Sequence, residues 1–286
     1  MSEVRLERVT ANDVDFAYLT IGSGPLALCL HGFPDTAYTW RHLLPALAEA
    51  GYTAVAPFQR GYAPTEVPRD ARYQTGALVA DAVALHEALG GDADAVLVGH
   101  DWGAMAAYGA ASLAPERWRR LVTAAVPPPP NADNPFGDYD AVQRMAYIFF
   151  FQSPLADLVV PVDDFAYLRR LWEVWSPGYD PTEDMVHVRE ALARPENVAA
   201  ALGYYRALFD PLGGDPELAA AQDATGTAPT VPNLYVHGRD DGCVPAPAAP
   251  AMPSGSRAAV LVDAGHFVHV EQPRAFNDLV LDFLGG

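Results

Sequence analysis

The chain is 286 residues long, half of them hydrophobic, with 36 acidic and 18 basic side chains and a net charge of −18. All of the basic residues are arginine. Such a length and apolar content suit one α/β unit carrying an insertion, and so acidic a surface excludes nucleic acid and anionic membranes as partners. Two cysteines, Cys29 and Cys243, stand far apart and make no disulfide framework. Residues 1–20 are polar, without the apolar stretch of a signal peptide, and no run is long enough to cross a bilayer. A cytoplasmic protein is expected.

Alternation predicts strands over 4–10 and 14–20, joined by a turn at Ala11-Asn12-Asp13. Residues 26–30 form a short apolar run of the kind buried in a parallel sheet, leading into His31-Gly32-Phe33-Pro34. A helix is expected over 39–50, with Leu43, Leu44, Leu47 and Ala48 on one face and Gly51 past its end. Then come a strand at 53–56, a helix over 74–89, a strand at 95–98, a helix at 104–111 and a strand at 121–126. Four prolines, Pro127 to Pro130, end that alternation. The stretch 131–228 is aromatic-rich and helical, at 140–151, 165–175 and 197–208. Strands return at 231–237 and 259–262, followed by a last helix over 274–284. The expected fold is therefore α/β, a mostly parallel sheet with helices on both faces. It divides into core residues 1–130, an inserted helical cap at 131–228 and core residues 229–286. An insertion at that point would lie over the site as a lid.

The chemistry is expected at Gly99-His100-Asp101-Trp102-Gly103. A strand, a Gly-x-x-x-Gly turn and a helix make a nucleophile elbow, with the middle side chain exposed at the top of the sheet. Here that residue is Asp101. A carboxylate that attacks saturated carbon leaves an ester, and water can cleave the ester at the enzyme's own carbonyl. The plainer reading is an Asp capping the next helix.

Four motifs in order resemble the epoxide hydrolase family of the α/β-hydrolases. They are His31-Gly32-Phe33-Pro34, the Asp101 elbow, Gly238-Arg239-Asp240-Asp241-Gly242-Cys243 and Gly265-His266-Phe267. The resemblance implies Asp101 as nucleophile, His266 as the base that activates water, and Asp241 as the acid that orients it. Asp240 and His269 are the neighbouring rivals for the last two roles. The Phe33 and Trp102 amides would form the oxyanion hole, and His31 and His100 would be structural. Two cap tyrosines would donate to the epoxide oxygen. The family context implies Tyr147 and Tyr205, with Tyr204 as the fallback for the latter. Phe33, Trp102, Phe149, Phe150 and Phe267 suggest an apolar or aromatic substrate pocket. One departure is Phe58-Gln59-Arg60-Gly61-Tyr62-Ala63, where the family often reads Asp-x-Arg/Lys-Gly-x-Gly.

The expected partners are thus a small-molecule epoxide and water. The eight histidines show no metal-binding spacing, so no metal or cofactor is expected. A haloalkane or haloacid dehalogenase would use the same triad, although Phe33 and Trp102 replace residues usual in those enzymes. A non-catalytic binding protein of the same fold is the remaining reading. The sequence leaves the oligomeric state open.

Overall fold

The structure, a computed structural model, describes residues 3–130, 138–210, 214–247 and 252–286. Its frame is an eight-stranded sheet of β1 (Arg5–Ala11), β2 (Val14–Gly22), β3 (Leu26–Leu30), β4 (Thr53–Pro57), β5 (Val96–His100), β6 (Arg120–Ala124), β7 (Asn233–Gly238) and β8 (Arg257–Leu261). The spatial order is β1-β2-β4-β3-β5-β6-β7-β8. β1 and β2 form a hairpin whose two turn residues, Asn12 and Asp13, have φ of 46° and 58°. Two left-handed residues in succession match the twist of the flanking strands. β2 also runs antiparallel to β4, and every later pairing is parallel. β3, β5 and β7 are buried along their whole length; β3 and the first half of β5 read as apolar runs, whereas β7 also buries Asn233 and His237.

The helices are α1 (Leu43–Glu49), α2 (Thr75–Ala88), α3 (Trp102–Leu113), α4 (Tyr139–Arg144), α5 (Ala146–Phe151), α6 (Leu155–Val159), α7 (Val162–Trp175), α8 (Thr182–Ala191), α9 (Pro195–Ala207), α10 (Ala219–Ala224), α11 (Val268–Glu271) and α12 (Pro273–Gly285). α2, α3 and α10 pack together as one layer, and α1 and α12 pack together in another. Between β6 and β7 the described residues form helices and no strand. Residues 131–137 and 211–213 of the expected insertion lie outside the described residues.

Local chemistry adjusts several expected elements. The helix predicted over 39–50 begins as a 3₁₀ turn, Ala37–His42, and becomes α-helical only at Leu43. Pro45 has no N–H to return to residue 41, so the α-helix starts late enough to hold it in its first turn. The helix predicted over 140–151 breaks at Met145 (φ −91°, ψ 5°) into α4 and α5. α7 begins earlier than expected, through three residues of positive φ, Asp163, Asp164 and Phe165. No element was predicted where α8 lies. Its polar composition hides the period, although Glu183 and Asp184 mark its first turn.

Candidate active site

Asp101 sits between β5 and α3 with φ 51° and ψ −119°, a region that non-glycine residues occupy only under constraint. Its surroundings supply the constraint. A Cβ on Gly99 would lie 2.3 Å from the Gly103 carbonyl oxygen, and one on Gly103 would lie 2.1 Å from that of Leu30. A Cβ on Gly32 would meet Asp101 Oδ1 itself at 2.3 Å. Glycine at these points lets the turn, the helix and the β3 loop close around one carboxylate.

The two oxygens of that carboxylate have different surroundings. Oδ1 accepts a 2.8 Å hydrogen bond from the Phe33 amide. Trp102, whose amide was the other expected donor, is the first residue of α3, where helix N–H groups have no partner within the helix. Oδ2 stands 3.7 Å from His266 Nε2, which is buried and has no hydrogen-bond partner. The far side of the imidazole is tied down, with Nδ1 2.9 Å from Asp241 Oδ2. Asp241 Oδ1 accepts from the amides of Cys243 (2.7 Å) and Val244 (2.8 Å). Asp240, by contrast, is exposed. His269 turns its Nε2 to the Thr39 hydroxyl. His31 Nε2 accepts from the Gln59 amide, and His100 Nε2 donates to the His266 carbonyl, so both serve as braces.

Burial alone would lower the pKa of His266, but the charges of Asp241 and Asp101 outweigh it and raise it to about 10. Burial pulls Asp101 upward, and His266 beside it more than offsets that, leaving the carboxyl below its ordinary value. The pair is therefore an imidazolium facing a carboxylate near neutral pH.

One carbonyl links the His266 loop to the Asp241 loop. Trp175 O, at the end of α7, accepts from both the His266 amide and the Gly242 amide at 3.0 Å. The next residue, Ser176, accepts from the Phe267 amide (3.1 Å) and donates to Glu271 (2.6 Å). Glu271 in turn accepts from the Gly265 amide at 2.8 Å. Sequence reasoning missed Trp175, Ser176 and Glu271. Only Glu271, five residues after His266, carried any positional signal.

Tyr147 and Tyr205 are both buried, with ring centroids 5.5 Å apart and planes nearly perpendicular. The Tyr205 hydroxyl is buried without a hydrogen-bond partner. That of Tyr147 lies 3.6 Å from Cys243 Sγ. Tyr204 instead donates to the Arg60 carbonyl at 2.8 Å, so its hydroxyl is committed elsewhere. Burial, with the Asp101 charge adding to it, pushes both the Tyr147 and Tyr205 phenols well above their usual range, so both are neutral donors. Tyr62, a third phenol missed in the sequence, is also buried and unpartnered, and burial and Asp101 raise it too.

The aromatic residues expected to line the pocket divide. Phe33 and Trp102 set their rings edge-on to Tyr205 at 5.0 and 5.1 Å, and the Trp102 indole N–H is buried without a partner. Phe149 does not belong there. It is 47% exposed and stacks on Phe209, because α5 turns Tyr147, Ile148 and Phe151 inward. Phe150 is half-buried and packs against Tyr167 and Phe151. Phe267 is fully buried, its ring 3.3 Å from that of Trp172, and is a packing residue beneath His266. The fold also assembles a metal-capable set with no sequence signature. Ligand atoms of Asp35, His100 and His269 lie within 4.8 Å of one another, brought in from the loop after β3, the end of β5 and α11.

Comparison with known proteins places this geometry. A family model described as the alpha/beta hydrolase fold matches residues 25–273. Epoxide hydrolase A of Mycobacterium tuberculosis is 31% identical over 298 residues, covering 92% of this chain and 91% of that protein. The crystal structure of Epoxide Hydrolase A from Mycobacterium thermoresistibile matches 99% of both chains at 27% identity, with a TM-score of 0.77. A solved structure from Klebsiella pneumoniae matches with a TM-score of 0.87 at 26% identity, over 99% of this chain and 98% of its own.

Proposed function

We propose a function from one premise: the chain belongs to the α/β-hydrolase fold family and, within it, to the epoxide hydrolases. Its reaction is the conversion of an apolar or aromatic epoxide and water to a vicinal diol. Asp101 Oδ2 attacks a ring carbon. The C–O bond breaks toward the ring oxygen, which takes a proton from Tyr205 or Tyr147. A hydroxyalkyl ester of Asp101 remains.

Esterification removes one of the two negative charges that hold the His266 proton. That proton replaces the one given up by the phenol, and the imidazole becomes neutral. It is then the base for a water that attacks the ester carbonyl. The oxyanion develops on Oδ1, where the Phe33 amide already donates and the Trp102 amide joins it. The ester C–O bond breaks, the diol leaves, and the carboxylate returns carrying one oxygen from water. Asp241 orients the imidazole and stabilises its charged form. The helices between β6 and β7 act as the cap that excludes water from ring opening. No helix among the described residues is long and apolar enough to cross a membrane. We place the reaction in the cytoplasm, where free thiols such as Cys29 and Cys243 persist.

The observation that carries this reading is the pair of neutral buried phenols, Tyr147 and Tyr205, packed against each other in the field of the Asp101 carboxylate. An epoxide opens to an alkoxide and needs such an acid. A halide leaves without one, so the phenols weigh against the dehalogenase. The unpartnered Trp102 indole N–H is the feature that favours it. Single turnover of an aryl epoxide in heavy-oxygen water separates the possibilities. Label should enter the Asp101 carboxylate and not the diol. Label directly in the diol would exclude the ester, and halide release from haloalkanes without epoxide turnover would make the dehalogenase the better reading.

A further inference from the structure

The buried histidines differ in how they use their ring nitrogens. His31 bonds through both, to the Gly32 carbonyl and the Gln59 amide. His237 does the same with the Tyr235 hydroxyl and the Val244 carbonyl. His100 and His269 bond through Nε2 alone, and their Nδ1 atoms are buried without a hydrogen-bond partner among the described residues. Asp35 Oδ2 is in the same condition, while Oδ1 accepts from the Thr36 amide at 2.7 Å. Asp35, His100 and His269 are each at most 2% exposed, and a ligand atom of each lies within 4.8 Å of the others. Hydrogen bonding fixes the tautomers. The His266 carbonyl can only accept, so His100 carries its proton on Nε2 and a lone pair on Nδ1. The Thr39 hydroxyl stabilises the Asp35 carboxylate, so its proton points there and its oxygen accepts from His269 Nε2. His269 Nδ1 therefore presents a lone pair as well. One proton on Asp35 can serve one of these imidazoles, whereas a dication serves all three atoms.

We propose that Asp35, His100 and His269 form a zinc site, with water as fourth ligand, and that zinc bound there inhibits the enzyme. Two imidazoles and a carboxylate suit zinc, whereas magnesium and calcium prefer oxygen ligands. Each imidazole is held at its far nitrogen by a hydrogen bond, as metal-ligating histidines are. A tetrahedral zinc sets its ligand atoms roughly 3.4 Å apart, so side-chain shifts of about an ångström or less close the site. His100 also holds the His266 carbonyl, and the two rings stand 4.9 Å apart. A dication on His100 opposes the positive charge that His266 acquires when it takes a proton from water. Hydrolysis of the Asp101 ester should therefore slow more than ring opening. Zinc binding stands on the geometry alone, and the inhibition rests on the epoxide hydrolase reading.

The test titrates Zn²⁺ into the full chain after chelator treatment, against a competing chromophoric chelator and to equilibrium. The wild type should bind one zinc per chain. His269→Gln and Asp35→Asn should weaken binding by roughly 100-fold or more, and Thr39→Val, which removes only the brace on His269, by roughly 10- to 100-fold. His187→Gln, at a histidine outside the cluster, should bind as the wild type does. Co²⁺ in the wild type gives a readout that needs no variant to fold: the intense visible bands of four-coordinate cobalt are expected. No saturable zinc binding overturns the proposal. So does cobalt bound without those bands, or zinc lost in His187→Gln and kept in His269→Gln. In single turnover of an aryl epoxide, bound zinc should prolong the Asp101 ester in the wild type and not in His269→Gln. Unchanged ester lifetime with zinc bound overturns the inhibitory role. If the zinc-free wild type opens no epoxide, the epoxide hydrolase reading has failed instead, and the titration and cobalt spectrum still decide the site.

Discussion

His266 Nε2 stands 3.7 Å from Asp101 Oδ2, near enough to share its field and too far for a hydrogen bond. The carboxylate oxygen is therefore next to the base without being tied to it. His266→Gln should leave ring opening in place and slow ester hydrolysis by roughly 100- to 10,000-fold, the range of one general base. Mass spectrometry after mixing with substrate should find a persistent adduct on Asp101. His269→Gln is the control, because the His269 ring nitrogen Nε2 is bonded to the Thr39 hydroxyl. Normal turnover in the first variant with a dead second one would reverse the assignment.

The Tyr147 and Tyr205 phenols are not equivalent. Tyr205 offers an uncommitted hydroxyl, while Tyr147 has Cys243 beside it. Tyr205→Phe should slow ring opening by roughly 10- to 1000-fold, near the usual scale for one general acid, and Tyr147→Phe should do so less. Neither should change hydrolysis of a preformed Asp101 ester. Tyr204→Phe should instead cost about 1 kcal/mol of stability through the lost bond to the Arg60 carbonyl. Rapid-quench kinetics and denaturant unfolding read the two effects separately. A Tyr204 variant with the larger kinetic defect would contradict this.

Gly32 tests the tightness of the elbow. Gly32→Ala puts a methyl 2.3 Å from Asp101 Oδ1, against the oxygen that the Phe33 amide holds. Either the carboxylate or the loop must move. Activity should fall by roughly 100-fold or more, since about 1 Å of misplacement is worth that much. A variant with wild-type kcat would show that the carboxylate position is not critical.

Glu271 and Ser176 hold the His266 loop against the end of α7. Glu271→Ala leaves the Gly265 amide and the Ser176 hydroxyl without their acceptor and should cost roughly 1–3 kcal/mol. The kinetic loss should fall on ester hydrolysis, which uses His266, more than on ring opening. Burst and steady-state phases measured together decide it, and an equal loss in both phases would reduce the brace to simple stability.

Stability should decline as pH rises. Folded His266 keeps its proton to about 10, whereas an unfolded histidine loses it near ~6.5. Its contribution is complete below about 6.5 and disappears as pH climbs through about 10. Asp35 adds the same sign at lower pH, for burial pushes its carboxyl up to about 8 while an unfolded Asp ionises near ~3.9. The Tm should fall from pH 6.5 to 10, with roughly 2 °C for each kcal/mol lost, and His266→Gln should flatten the decline. A rising Tm across that range would contradict the ion pairing described here.

Much of the frame was legible because its signals are local. Apolar runs marked β3 and β5, a strand-like pattern marked β7, and glycines around Asp101 marked the elbow, since close backbone approach leaves room for no other residue. Asp101, Asp241 and His266 could be named from short motifs. The aromatic cap residues could not be sorted in the same way. Tyr204 and Tyr205 are neighbours in sequence, and only packing sends one hydroxyl to Arg60 and leaves the other uncommitted. Phe149 and Phe151 are likewise two residues apart, yet the pitch of α5 exposes the first and buries the second.

The sequence by itself determined the order Asp101, Asp241 and His266, each after the end of a strand, on an α/β sheet interrupted by helices. Those features depend on periodicity and turn residues, which act over a few positions. The tertiary structure alone decided which oxygen of Asp101 faces the base. It also decided which phenols stay free, and that the Trp175 carbonyl fastens the His266 loop to the Asp241 loop. Each of these joins residues tens of positions apart or more. Contacts of that kind arise from the packing of whole elements, and no local pattern records them.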